Sequence, residues 1–200
     1  MIDLGERRPL VIAIAGPNGD GKSTFYETQL AESGLRFVNA DNLARQLDLD
    51  PYKAAAAADR VRRELAQMRE SFVFETVFSD PVGDKVDFLK SLEADGYQVV
   101  LCYVGISSAD VSDERVSMRV SKGGHDVPSS KIKERYARTL INLKRAIEQL
   151  GDVRVFDNDY LDYPYRLVSK CAYGRVVEVG QEVPAWLRGV LPAMNGIGCL

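Results

Sequence analysis

Leu10-Val11-Ile12-Ala13-Ile14-Ala15-Gly16-Pro17-Asn18-Gly19-Asp20-Gly21-Lys22-Ser23-Thr24 is an apolar run that stops on a complete G-x-x-x-x-G-K-[ST] sequence. The run predicts a buried strand, and the glycines behind it let backbone N–H groups wrap a phosphate chain. A helix opening near Lys22 would turn its positive N-terminus to the same anion. Lys22 carries the charge to neutralise β- and γ-phosphates, and the Ser23 hydroxyl is of the kind that ligates Mg²⁺. Gly16, Pro17, Asn18, Gly19, Asp20, Gly21, Lys22, Ser23 and Thr24 are therefore the candidate nucleotide-binding residues, with ATP and Mg²⁺ as the ligands implied. No Asn-Lys-x-Asp stretch that would read guanine occurs.

The 200 residues suit a single domain, with a core over about 10–160 and a C-terminal extension over about 161–200. A net charge of −3 gives no electrostatic reason to expect nucleic-acid binding. No apolar run is long enough to cross a membrane and the N-terminus lacks the apolar core of a signal peptide, so a cytoplasmic chain without a membrane partner is expected. Cys102, Cys171 and Cys199 are odd in number and widely spaced, which predicts reduced thiols.

Strand and helix signals alternate after the first strand, as in parallel β-α-β units. A helix is predicted over about Lys22 to Ser33, and a short strand over Arg36 to Asn39. Tyr52 to Glu70 reads as a long amphipathic helix feeding the strand Phe72 to Glu75. Val82, Val86, Leu89 and Leu92 mark the next helix, stopped at Gly96, and Gln98 to Val104 is a fourth strand. Ser107-Ser108-Ala109-Asp110 has the spacing of a capping box, and a helix from about Ser130 to Leu150 leads to the strand Val153 to Phe156. Arg166–Ser169 and Arg175–Val179 look like a hairpin or sheet extension. The fold class expected is a P-loop NTPase, a three-layer α/β/α sandwich on a mainly parallel five-stranded sheet with that C-terminal extension.

Ligands of an open parallel sheet bind beyond the carboxyl ends of its strands, which singles out Asp41, Glu75 and Asp157. Phosphate transfer needs a carboxylate to accept a hydroxyl proton. Asp41 is the choice for that base, although it fits equally well as the cap of a helix starting near Asn42. Glu75 ends an apolar strand and is costly to desolvate unless it meets a cation or a hydrogen-bond donor, which favours a site role. Asp157 fits turn chemistry equally well and is given no catalytic role. Arg115 and Arg119 share a helical face, and Lys122 to Pro128 follows as a polar loop; together they look like a lid, or else a solvated face.

These pieces resemble, in order, the zeta-toxin family of P-loop kinases, and most closely its uncharacterised branch of small predicted ATPases. They are the loop from Gly16 to Thr24, Asn39-Ala40-Asp41, Phe72 to Thr76, Arg115 with Arg119, Gly123-Gly124-His125-Asp126-Val127-Pro128, Arg135 to Arg138, Asn142-Leu143 and Phe156-Asp157-Asn158. The resemblance implies phosphoryl transfer from ATP to a hydroxyl of a small molecule, in characterised members the amino sugar of UDP-N-acetylglucosamine, and an antitoxin protein as partner. Carried over by position, Asp41 matches the catalytic base and Glu75 the acidic residue at the substrate and metal side. Thr76 and Arg115 fall on the substrate side, and Arg119 matches the first lid arginine. His125 stands where a second lid arginine is expected, replacing a permanently charged fork with an imidazole. Asp20 departs from the small residue usual in the branch, and a carboxylate there should repel ATP unless it turns to solvent or meets Mg²⁺. The alternatives are an ATPase without an acceptor and a nucleotide-binding partner protein with little turnover.

Overall fold

The computed structural model describes residues 8–121, 127–160 and 162–193. Its centre is one seven-stranded sheet with the spatial order β2-β3-β1-β4-β5-β6-β7. Five strands run parallel: β1 (Leu10–Ala15), β2 (Arg36–Val38), β3 (Phe72–Thr76), β4 (Gln98–Gly105) and β5 (Val153–Asp157). The hairpin of β6 (Arg166–Ala172) and β7 (Arg175–Val179) continues the sheet antiparallel to β5. The expected five-stranded parallel sheet with a C-terminal extension is thus the fold.

β1 lies between β3 and β4, and every one of its residues is fully buried. A strand buried on both faces has no polar side to show, which is why it reads as an unbroken apolar run. Its side chains alternate between two cores. Val11, Ala13 and Ala15 join the larger one, and Leu10, Ile12 and Ile14 the smaller.

Among the described residues seven α-helices surround the sheet: α1 (Lys22–Phe25), α2 (Ala40–Leu47), α3 (Pro51–Gln67), α4 (Asp84–Ala94), α5 (Ala109–Val120), α6 (Ser129–Gln149) and α7 (Ala185–Arg188). The larger core is covered by Ala58 and Leu65 of α3, Val86, Leu89 and Leu92 of α4, and Leu143, Ala146 and Ile147 of α6. The smaller is covered by Phe25 and Leu30. The helix expected over 22–33 is helical throughout but widens after α1 into a π turn over Tyr26–Leu30 and then tightens to 3₁₀ over Ala31–Ser33.

Local chemistry sets the other boundaries. Asp50 accepts the backbone N–H of Tyr52 at 3.0 Å and of Lys53 at 3.1 Å, and Pro51 supplies the first helical residue of α3. Val82 lies outside α4 and is exposed, because Gly83 in the left-handed region turns the chain just before Asp84. The capping box does not form from Ser107. Ser108 is the cap of α5, accepting from the Val111 N–H at 3.2 Å, while the Ser107 N–H donates to Asp159.

Asp157 is a fixed point rather than turn chemistry. Its buried carboxylate accepts from Trp186 Nε1 at 3.0 Å and Arg166 Nη2 at 3.1 Å, tying α7 and β6 to the carboxyl end of β5. The indole lies so close over Gly105 that any Cβ there would collide with it. Cys102 and Cys171 are buried free thiols, and Cys199 lies outside the described residues. Among the described residues no helix is long and apolar enough to cross a membrane.

Candidate active site

The carboxyl ends of the parallel strands open on a cleft of about 630 Å³, lined on one side by Asn18 to Thr24. The loop over it is shaped by glycines. Gly21 has φ +94°, and a Cβ there would stand 2.7 Å from Asn158 Nδ2 and 2.9 Å from the Tyr165 hydroxyl. Gly16 is tighter still, because the Asp20 carboxylate and the Val104 carbonyl take the space of its missing side chain.

Lys22 and Asp20 form an ion pair at 2.7 Å, with the side chains only 5% and 1% exposed. The Lys22 ammonium also donates to the carbonyls of Pro17 at 2.5 Å and Gly16 at 3.2 Å. Asp20 Oδ1 further accepts the backbone N–H of Lys22 at 3.2 Å, and Oδ2 is buried with no partner. Burial pushes the Asp20 carboxyl up to about 7, reinforced by Glu75 and opposed by the pull of Lys22. Of the two ways for Asp20 to avoid repelling ATP, turning to solvent is not taken here: the side chain is buried and folds inward onto the loop's own lysine.

Glu75, near the end of β3, meets hydrogen-bond donors as its position requires. Its Oε2 accepts from Ser23 Oγ at 2.9 Å and from Asn39 Nδ2 at 2.6 Å. Asn39, a buried residue just past β2, also accepts the Asn42 N–H on its Oδ1 at 3.0 Å and so caps α2. That removes the capping role from Asp41. Asp41 sits in the first turn of α2 with its side chain exposed and lining the cleft. Asn39→Ala removes the cap and one of the two donors to Glu75, and is expected to destabilise the chain by about 1–2 kcal/mol in denaturant unfolding.

Thr76 closes β3 and lines the cleft, its hydroxyl accepting from the Phe78 N–H at 3.3 Å. Arg115 and Arg119 of α5 both line it too. The Arg115 guanidinium is spent on the Asn158 carbonyl at 3.0 Å and the Asp159 carbonyl at 3.1 Å, which fastens α5 to the segment after β5. His125 lies outside the described residues. The cleft is also lined by Tyr52 and Arg62 of α3, Lys85 of α4 and Lys131 and Arg135 of α6, four cations of which Arg62 and Lys85 share Asp59 as ion-pair partner.

Three supports of the phosphate loop carried no signal in the local sequence. Ser112 of α5 donates to the Asn18 carbonyl at 2.5 Å, Asn158 to the Asp20 carbonyl at 2.7 Å, and the Tyr165 hydroxyl to the Gly21 carbonyl at 3.0 Å. Tyr165 also sets its ring edge against Phe25, with centroids 5.2 Å apart. These side chains satisfy three of the loop's carbonyls and brace it from the neighbouring elements.

The family model described as Zeta toxin matches residues 53–166. The match begins after the phosphate loop, so the loop stands on its own motif and geometry. An uncharacterised protein of Haemophilus influenzae is 28% identical over 130 residues, covering 62% of this chain and 91% of that protein. A chain of the AvrRxo1-ORF1:AvrRxo1-ORF2 complex shares the fold at a TM-score of 0.71 and 17% identity, covering 93% of this chain and 65% of its own. The chain therefore spans about two thirds of that relative. The same complex with ATP gives a TM-score of 0.69 at 19% identity, covering 96% of this chain and 67% of that one. The PezAT chromosomal toxin-antitoxin system of Streptococcus pneumoniae gives 0.57 at 14% identity, covering 82% and 72%. With more than half of its residues matched by that model, this chain belongs to the zeta toxin family.

Proposed function

We propose that this chain is an ATP-dependent phosphotransferase that moves the γ-phosphate of ATP to a hydroxyl of a small molecule. The observation that carries this reading is the convergence, in one cleft, of a phosphate loop with its lysine, a Ser23–Glu75 pair and the free carboxylate of Asp41. Gly16 to Thr24 hold the phosphates. Asp41 takes the proton of the acceptor hydroxyl as its oxygen bonds to the γ-phosphorus and the bond to the departing ADP breaks. Arg119 offsets charge on the moving group, and His125 is assigned the same task. Thr76 and Arg115 border the acceptor.

A hydroxyl and a carboxylate 2.9 Å apart beside a phosphate loop suit Mg²⁺, which takes few protein oxygens and fills its shell with phosphate and water. Ser23 and Glu75 would hold it, and it would supply charge neutralisation at the phosphates. The cations Lys85, Lys131 and Arg135 lining the cleft favour an acceptor that is itself anionic, and a UDP-amino sugar is the first candidate to assay. The fold shared with the PezAT toxin-antitoxin system supports an antitoxin-type protein as partner.

One observation favours a second reading, a nucleotide binder with little turnover: the lysine of the loop is already paired with Asp20. ADP release measured with and without metabolite pools separates the possibilities. Acceptor-dependent release is expected. Acceptor-independent release would make the chain an ATPase, and binding without release would make it a binder.

A further inference from the structure

The Asp20 carboxylate occupies the lysine that a phosphate loop offers its ligand. A phosphate in such a loop is held by inward backbone N–H groups and by the loop lysine. Here Asp20 Oδ1 accepts from Lys22 twice, from Nζ at 2.7 Å and from the backbone N–H at 3.2 Å, while Nζ also donates to the Gly16 and Pro17 carbonyls. The second oxygen, Oδ2, is buried beside Gly16 with no hydrogen-bond partner. Such a group is costly to keep, since a buried carboxylate oxygen without a donor forfeits its hydration. Nothing in the packing demands an acid at this position. Asp20 touches the loop itself, and the side chains that brace the loop from behind, Asn158 and Tyr165, bind the carbonyls of Asp20 and Gly21 rather than the carboxylate.

We propose that Asp20 is a resident anion of the phosphate loop, a built-in competitor that nucleotide must displace from Lys22 before its phosphates can enter. The inference rests on the nucleotide reading of the loop and adds its regulation. Displacement breaks one buried ion pair and brings a second anion to the same lysine, so the carboxylate has to swing out of the loop as the phosphates go in. Asp20 thereby sets the threshold affinity: a ligand holding the loop by one phosphate replaces like with like, whereas a di- or triphosphate reaches further donors and wins. Removing the competitor lowers the threshold for every phosphate ligand.

The test is calorimetric titration of the full chain and its Asp20→Ser and Asp20→Asn variants with ADP and with inorganic pyrophosphate, without added metal. Thermal melts of the same samples check that each variant is folded. Asp20→Ser is expected to bind both probes about tenfold more tightly than the parent chain, a gain of about 1.4 kcal/mol. Asp20→Asn, which keeps the shape but not the charge, should fall between them. Equal affinities in all three folded proteins would overturn the proposal, as would weaker binding by Asp20→Ser, which would make Asp20 a partner of the ligand. Failure of every variant to bind either probe would sink the nucleotide reading itself, and the resident anion with it.

Discussion

Asp41→Asn is expected to lower acceptor phosphorylation at saturating ATP by about 10²–10⁴-fold, the range that a positioned general base contributes. ATP affinity should stay within about threefold, because the substitution removes proton acceptance and leaves the phosphate loop untouched. The structure makes this a clean comparison. Asn39, not Asp41, caps α2, and the exposed Asp41 side chain makes no hydrogen bond among the described residues. The cost to stability is limited to a negative charge lost from a helix N-terminus, about 0.3–1 kcal/mol. A drop in kcat with a melting temperature lowered by no more than about 4 °C and an ATP dissociation constant within about threefold is the signature. A variant that keeps full transfer removes Asp41 from the mechanism.

Lys22→Met is expected to act twice. It removes the cation that faces the transferring phosphates, which should lower kcat/KM by about 10²–10³-fold, the scale of losing one transition-state donor. It also strands Asp20. The Asp20 carboxyl is raised from 3.8 to about 7, so the folded chain holds a proton that the unfolded chain has released. The stability this provides is whole below about pH 4 and is lost as the pH climbs to about 7. Lys22 is what pulls that carboxyl downward, through charge and hydrogen bonding. The other charge that acts on it is Glu75, which raises it. Without the lysine the loss continues above pH 7. Lys22→Met should therefore melt below the parent by a margin that widens with pH, reaching about 3 kcal/mol near pH 8. Adding Asp20→Asn should restore the stability and not the activity. A deficit that does not change with pH, or that Asp20→Asn leaves in place, would contradict the pairing.

What could be read from the chain divides along physical lines. β1 is legible to the residue because its six positions are buried on both faces between Pro9 and Gly16. α3 is legible from its helical apolar spacing, read over Tyr52 to Glu70 and found over Pro51–Gln67. The cap of α2 is not, since Asn39 and Asp41 are both good cap residues two positions apart. Burial at the end of β2 and the bond to Glu75 decide for Asn39. The demand that Glu75 find donors follows from its place at the end of an apolar strand, but the donors come from 52 and 36 residues away. Ser112, Asn158 and Tyr165 likewise reach the loop across 94, 138 and 144 residues, and only the folded sheet brings them there. Asp20 is visible in sequence as an acid where a small residue is expected. Its direction is not, because the space it takes exists only where Gly16 has no Cβ.

The measurement that tests the central claim most directly is transfer of label from γ-labelled ATP to a metabolite extract, with Asp41→Asn in parallel. Label is expected in a phosphorylated small molecule with the parent chain and to fall by at least about a hundredfold with the variant. Nucleotide that binds while label passes only to inorganic phosphate, or nowhere, would contradict the assignment of this cleft to phosphotransfer.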